Sequence, residues 1–203
     1  MTNRLMKGAH LSDRKCREII HLFREDLNAT QIAHVTHVSR ITVNNYLKRI
    51  RMAIAAQAES LQPGTSNGQE QTMIAPQPVT AYGFYKSSRG ISIQAVRDFD
   101  PTDLETVRHR YPHLQAVADF SCWRLYRLDN LQQVNGSSMM DEISGFWGWI
   151  KGRLQKFRGM HRNTLYLHIR ECEFRYNHRD NGLEESLQQL LFPPSNSQRP
   201  FTT

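Results

Sequence analysis

The sequence predicts an α+β protein: an N-terminal three-helix domain with a helix-turn-helix arrangement, then an α/β domain that ends in two helices. Three observations predict it. Apolar residues recur at helical spacing in three short runs between residues 12 and 50. After residue 79 the period changes, and VTAYGFYKS and GISIQAV have strand-like composition. The last third returns to helical spacing, with Ile143, Phe146, Trp147, Ile150, Leu154 and Phe157 on one face and Leu165, Ile169, Cys172 and Tyr176 on a second.

Ser12 is placed to cap a first helix whose Cys16, Ile19, Ile20 and Phe23 form an apolar stripe. Asn28 or Thr30 opens a second, short helix that contains Ile32, Ala33 and Val35. Thr36-His37-Val38 is a tight connection, and His37 stands where glycine is usual in such a turn. Ser39 caps a third helix in which Val43, Tyr46, Leu47 and Ile50 face inward. Two helices joined by three or four residues define the helix-turn-helix. Its outward face carries Arg40, Thr42, Asn44, Asn45, Lys48, Arg49 and Arg51. Asparagine suits adenine and arginine suits guanine, while Lys48, Arg49 and Arg51 suit phosphates. A small helical protein-interaction domain is the alternative reading of this segment.

Charge supports the DNA reading. The chain carries 26 Lys/Arg against 19 Asp/Glu, net +7. Residues 1–56 hold ten Lys/Arg and four Asp/Glu, net +6, so the excess is concentrated where the helices lie. The three cysteines, Cys16, Cys122 and Cys172, form no CxxC pair, which disfavours a zinc ribbon and fits a reducing, cytoplasmic setting. No apolar run is long enough to span a bilayer, so no membrane is expected, and the N-terminus has no hydrophobic signal segment.

The order of elements gives four segments: 1–56 a helical DNA-binding domain, 57–78 a linker, 79–185 the α/β domain, and 186–203 a flexible tail. The linker is rich in Gln, Pro, Gly, Ser and Thr. Within the second domain Ser87-Ser88-Arg89-Gly90 turns between two strands, and Asp100-Pro101 opens a helix containing Leu104 and Val107. LQAVADF is a buried strand, and WRLYRL a further strand or a short helix. Between the last two helical faces lie Lys151, Arg153, Lys156, Arg158 and Arg162, with no acid among them. That run suits phosphate on one side and packing on the other, or a plain solvated helix face. Asn163 is a candidate N-cap for the final helix, and Gly145, Gly148 and Gly152 would let another backbone or DNA approach the helix before it.

FWGWIKGRLQKFRGMHRNTLYLHIRECEFRYNHR resembles the C-terminal signature of bacterial insertion-sequence transposases of the ISXO-like group. The resemblance is strong over the last third of the chain. It implies a DDE-type enzyme, so residues 79–185 would be a truncated RNase H-like domain. It also implies Mg²⁺ or Mn²⁺ as cofactor if the protein is active, and double-stranded DNA with terminal inverted repeats as partner.

DDE chemistry holds two divalent cations between three converging acids. In the resembling family the first Asp lies before the segment matching Tyr82-Gly83-Phe84. Here that place is the linker, and Glu70 is the acid nearest it. The second precedes a Trp-Arg-x-Tyr element, matched by Trp123, Arg124 and Tyr126, which puts Ser121 at the catalytic place. Asp119, two residues earlier, is a displaced candidate on the same strand face, about 7 Å away. The third acid falls on Ser144, with Asp141 one turn off and Glu142 on the wrong helix face. No matched position keeps its acid.

The sequence therefore reads as a transposase-family protein that binds insertion-sequence ends and is catalytically defective. One alternative is an active enzyme with a displaced triad of Asp119, Asp141 or Glu142, and Glu70, in which Asp119 and Asp141 hold metal. Another is a helix-turn-helix transcription regulator whose C-terminal part serves oligomerisation. Protein partners on these readings are a second copy of the chain or an intact transposase.

Overall fold

The computed structural model describes residues 11–61, 81–128, 141–157, 162–180 and 182–192. The described residues are mixed α and β, with seven helices and one four-stranded antiparallel sheet. They fall into two compact units. One comprises Met1–Pro63 with His178–Thr203, the other Gly64–Asn177.

In the first unit, α1 (Asp13–Arg24) opens at Ser12, whose side chain accepts from the Lys15 backbone N–H. Its spacing buries Cys16, Ile19, Ile20 and Phe23. Helix α2 (Ala29–Thr36) opens on a capping box, in which Asn28 and Gln31 satisfy each other's backbone N–H groups. His37 then adopts a left-handed conformation with φ 53° and ends the helix. The three residues His37, Val38 and Ser39 lead into α3 (Arg40–Ser60), capped by the Ser39 hydroxyl. Val43, Tyr46, Leu47, Ile50 and Ile54 of α3 are buried with Ile32 of α2. Thr36 is buried too, and its hydroxyl donates to the Ile32 carbonyl at 2.7 Å, so no polar group is stranded.

Two boundaries differ from the sequence reading. Helix α3 continues to Ser60, four residues into the expected linker, because Ile54 and Ala55 remain buried on its inner face. The rest of that linker, 62–78, lies outside the described residues. A seventh helix, α7 (Leu183–Leu191), crosses residue 186, where a tail was expected. It packs on α1 and α3. Leu187 and Leu191 are buried, Arg24 pairs with Glu184, and the Arg17 guanidinium lies 5.2 Å from the Phe192 ring centroid. Residues 193–203 lie outside the described residues.

In the second unit, β1 (Ala81–Ser87) and β2 (Gly90–Val96) form a hairpin with Ser87 opposite Gly90. Strand β3 (Ala116–Asp119) pairs antiparallel with the other side of β1, and β4 (Arg124–Arg127) pairs with β3. WRLYRL is thus resolved as a strand. The order is β2-β1-β3-β4. Period-two alternation gives the sheet two apolar faces. Tyr82, Phe84, Ile91, Ile93, Ala116 and Ala118 pack with α5 (Glu142–Leu154) and α6 (Arg162–Asn177). Ala81, Val96 and Val117 form the opposite cluster with Val107 of α4 (Leu104–Arg110). The expected helix start at Asp100-Pro101 is corrected. Asp100 instead closes a turn by accepting from Thr102 N–H at 2.8 Å, and Asp103 caps the helix. Helix α6 likewise begins at Arg162, one residue ahead of the expected cap.

Helix α6 completes the sheet in an unusual way. β2 is an edge strand with outward-facing backbone groups. Asn177 donates to the Ile91 carbonyl and accepts from its N–H, while Arg170 donates to the Ile93 carbonyl and Glu173 accepts from the Ile93 N–H. Residues 170, 173 and 177 share one helix face, so that face takes the place of a fifth strand.

Candidate functional site

Helix α3 presents the face that the sequence assigns to DNA. Arg40, Asn44, Asn45, Lys48 and Arg49 are exposed. Asn45 and Lys48 lie opposite the buried stripe of Val43, Tyr46, Leu47 and Ile50, Asn44 and Arg49 flank it, and Arg40 is the first residue of the helix. Thr42 is half-buried, and its hydroxyl meets the Ser39 hydroxyl at 2.8 Å. Arg51 is half-buried as well, with its guanidinium 5.8 Å from the Phe23 ring centroid. Thr42 and Arg51 therefore already have structural roles within the unit.

Sequence reasoning missed Ile41. It is 76% exposed, the most exposed large apolar side chain among the described residues. It stands at i to the i+3, i+4 and i+7 positions of Asn44, Asn45 and Lys48. The helical period was the available signal, since it puts Ile41 opposite the core.

The basic run of the second unit divides. Arg153 is buried and bonds Glu171 at 2.5 Å, so it belongs to the core and not to a phosphate surface. Lys151 is half-buried, with its ammonium 5.9 Å from the Trp147 ring centroid. Lys156 is exposed. Arg158 and the Arg162 side chain lie outside the described residues. Gly148 and Gly152 face open space, and no described backbone approaches them.

The two displaced acids have separate sets of partners. Asp119 ends β3 and accepts from the Ser121 N–H at 2.8 Å, the Ser121 hydroxyl at 2.5 Å and the Cys122 thiol at 3.1 Å. Partial burial raises its pKa, but these donors outweigh it and hold the carboxylate below its ordinary value. Asp141 is the N-cap of α5. It accepts from Ser144 N–H at 2.8 Å and from Arg127 at 2.5 Å. The Arg127 bond holds its carboxyl well below the usual range, against a smaller opposing effect of burial.

Register separates Asp119 from Arg127. Asp119 lies opposite Arg124 and shares the α4 face with Val117, whereas Arg127 lies opposite Ala116 and shares the α5/α6 face with it. The Arg127 side chain that carries Asp141 is thus three residues along the strand, roughly 10 Å, and on the other side of the sheet. Each carboxylate is already engaged by its own donors, Asp119 by Ser121 and Cys122 and Asp141 by Arg127 and Ser144. Glu70 lies outside the described residues. Among the described residues, no three His, Cys, Asp or Glu side chains gather where they could hold a metal ion. None of their helices is long and apolar enough to cross a membrane.

Comparison with known proteins finds one transposase-like relative that is similar over part of the chain. The chain is 32% identical over 79 residues to an uncharacterized transposase-like protein of Haemophilus influenzae. That alignment covers 37% of this chain and 59% of the relative, so the chain spans less than two thirds of the protein it matches. No family model matches the chain. No solved structure matches it.

Proposed function

We propose that this chain is a transposase-family protein of the ISXO-like, DDE type that binds duplex DNA at insertion-sequence ends and does not catalyse strand transfer. The observation that carries the reading is α3, whose Arg40, Asn44, Asn45, Lys48 and Arg49 are exposed while Val43, Tyr46, Leu47 and Ile50 are buried. The α2–His37-Val38-Ser39–α3 segment is read as a helix-turn-helix. Its three-residue connection and the left-handed His37 support that reading. The N-terminal residues of α3 would meet base edges, and Lys48 and Arg49 the flanking phosphates. The RNase H-like reading of 79–185 rests on the C-terminal resemblance. A protein of this kind would compete with an intact transposase for DNA ends.

The test is titration of the full chain with duplex DNA at several salt concentrations. Salt-dependent affinity is expected. Arg40→Ala or Asn45→Ala should cost about 1–3 kcal/mol at an enriched sequence. Lys48→Ala should weaken binding to all sequences and flatten the salt slope. Absence of salt-dependent affinity would remove the reading.

A further inference from the structure

We infer that Ile41 is a specificity-determining residue of the DNA interface and reads the 5-methyl group of a thymine. The inference rests on the DNA-binding reading of α3 and goes beyond it, since it names a residue and the chemical group it recognises.

Ile41 lies outside the buried core of its unit. Ile41 is 76% exposed on a helix whose inner face is completed by Val43, Tyr46, Leu47 and Ile50. Isoleucine is also a poorer helix former than the straight-chain residues, so local propensity does not explain it. Single exposed apolar residues are common on protein surfaces. What distinguishes this one is its place. It is the second residue of α3 and shares one stripe with Asn44, Asn45 and Lys48. Each of those neighbours offers hydrogen bonds or charge, and Ile41 offers neither.

The major groove offers one apolar group among the four base-pair edges, the thymine methyl. An apolar side chain amid hydrogen-bonding residues on a groove-facing helix therefore has one base to prefer. The neighbouring asparagines suit adenine N6 and N7, so the stripe as a whole favours A·T pairs. Asn44 and Asn45 follow Ile41 by three and four residues, a rise of about 5 Å along the helix. Base pairs are spaced about 3.4 Å apart. The thymine read by Ile41 should thus lie within one or two base pairs of the adenine read by an asparagine.

The experiment uses the full chain and a random duplex pool, from which bound sequences are enriched. Each thymine of an enriched duplex is then replaced by deoxyuridine, which removes the methyl group and leaves pairing intact. Wild type should lose about fourfold in affinity at one or two adjacent thymines. Ile41→Ala should bind the thymine duplex with about the same fourfold loss and no longer distinguish the deoxyuridine duplex. Lys48→Ala should weaken both duplexes alike and keep the discrimination. Circular dichroism of Ile41→Ala should match wild type, since the side chain packs on little. Salt-dependent binding with equal affinity for thymine and deoxyuridine duplexes would overturn the inference alone, as would discrimination retained by Ile41→Ala. No salt-dependent binding to any duplex would overturn the DNA-binding reading and the inference with it.

Discussion

Asn177 and Ile91 form a closed pair: the Asn177 amide nitrogen donates to the Ile91 carbonyl at 2.7 Å, and its oxygen accepts from the Ile91 N–H at 3.0 Å. A side-chain amide thus stands in for the backbone of a neighbouring strand at the β2 edge. Asn177→Ala should destabilise the second unit by about 1–3 kcal/mol, because two backbone groups lose their partner together. Gly90 belongs to the same device. A Cβ there would meet the Asn177 oxygen at 2.4 Å, and its φ is +111°. Gly90→Ala should therefore cost at least as much. Urea melts of both variants check this, and a loss below about 0.5 kcal/mol for either would show that the edge is held by other groups.

A second prediction concerns the buried ion network. Glu171 is 1% exposed and accepts from Arg153 at 2.5 Å and Arg175 at 2.8 Å. Removing its charge leaves two buried guanidinium groups without their shared carboxylate. Glu171→Gln should cost about 3–5 kcal/mol, the range for breaking a buried pair from one side. Denaturant melts measure it, and a near-neutral result would mean that water reaches the arginines.

These two networks show where the sequence was legible and where it was not. Ser12 and Ser39 were readable as caps, Asn28 as one of two candidates beside Thr30, and His37 as the turn residue, because each acts on atoms within four residues of itself. The apolar faces of α5 and α6 were readable from their period. Arg170, Glu173 and Asn177 share a helical spacing that looks like a solvated face. Their burial depends on β2, and Glu173 bonds a strand residue 80 positions earlier. Arg153 was misplaced for the same reason, since its partner Glu171 lies on another helix. The α7 stripe of Leu187 and Leu191 was present in the sequence, but its packing on α1 and α3 is a long-range fact. Of the candidate site, the α3 face was legible because it is the complement of a core stripe. The engagement of Asp141 by Arg127 was not, because it joins a helix cap to a strand residue 14 positions earlier.

The aromatic core gives a third prediction. Trp147 is 8% exposed and meets Phe84, Phe120 and Trp123 with ring centroids 5.0–6.2 Å apart. Trp147→Ala should cost about 3–5 kcal/mol. A loss under about 1 kcal/mol would require the surrounding rings to collapse into the space.

Acid sensitivity supplies a fourth. The Arg127 bond depresses the Asp141 pKa, so the folded state favours the charged carboxylate more than the unfolded chain does. The resulting stability is fully present above the ordinary aspartate value near 4 and is lost as pH falls through the depressed folded value. Asp141→Asn keeps a side chain able to cap α5 and removes the charge. Wild type should exceed the variant in stability at pH 7, and the gap should shrink below about pH 4. Urea melts across that range decide it, and a gap independent of pH would show that the charge contributes nothing.

The last prediction concerns catalysis. Two divalent cations carry +4 and must sit about 4 Å apart, which requires several anionic oxygens converging on one point. Here the positions matching the resembling family carry Ser121 and Ser144. The displaced Asp119 is occupied by Ser121 and Cys122 at a strand end, and Asp141 by Arg127 and a helix cap. The register puts Asp119 and Arg127, which holds Asp141, on opposite faces of the sheet. Recruiting Asp141 to a metal would break its bond to Arg127 and uncap α5, each a separate cost. Purified protein should therefore show no Mg²⁺- or Mn²⁺-dependent nicking of terminal-repeat DNA above the level of Asp119→Asn. Robust nicking abolished by Asp119→Asn would overturn this and establish a displaced catalytic site. Nicking that the substitution leaves unchanged would place the activity elsewhere than on these acids.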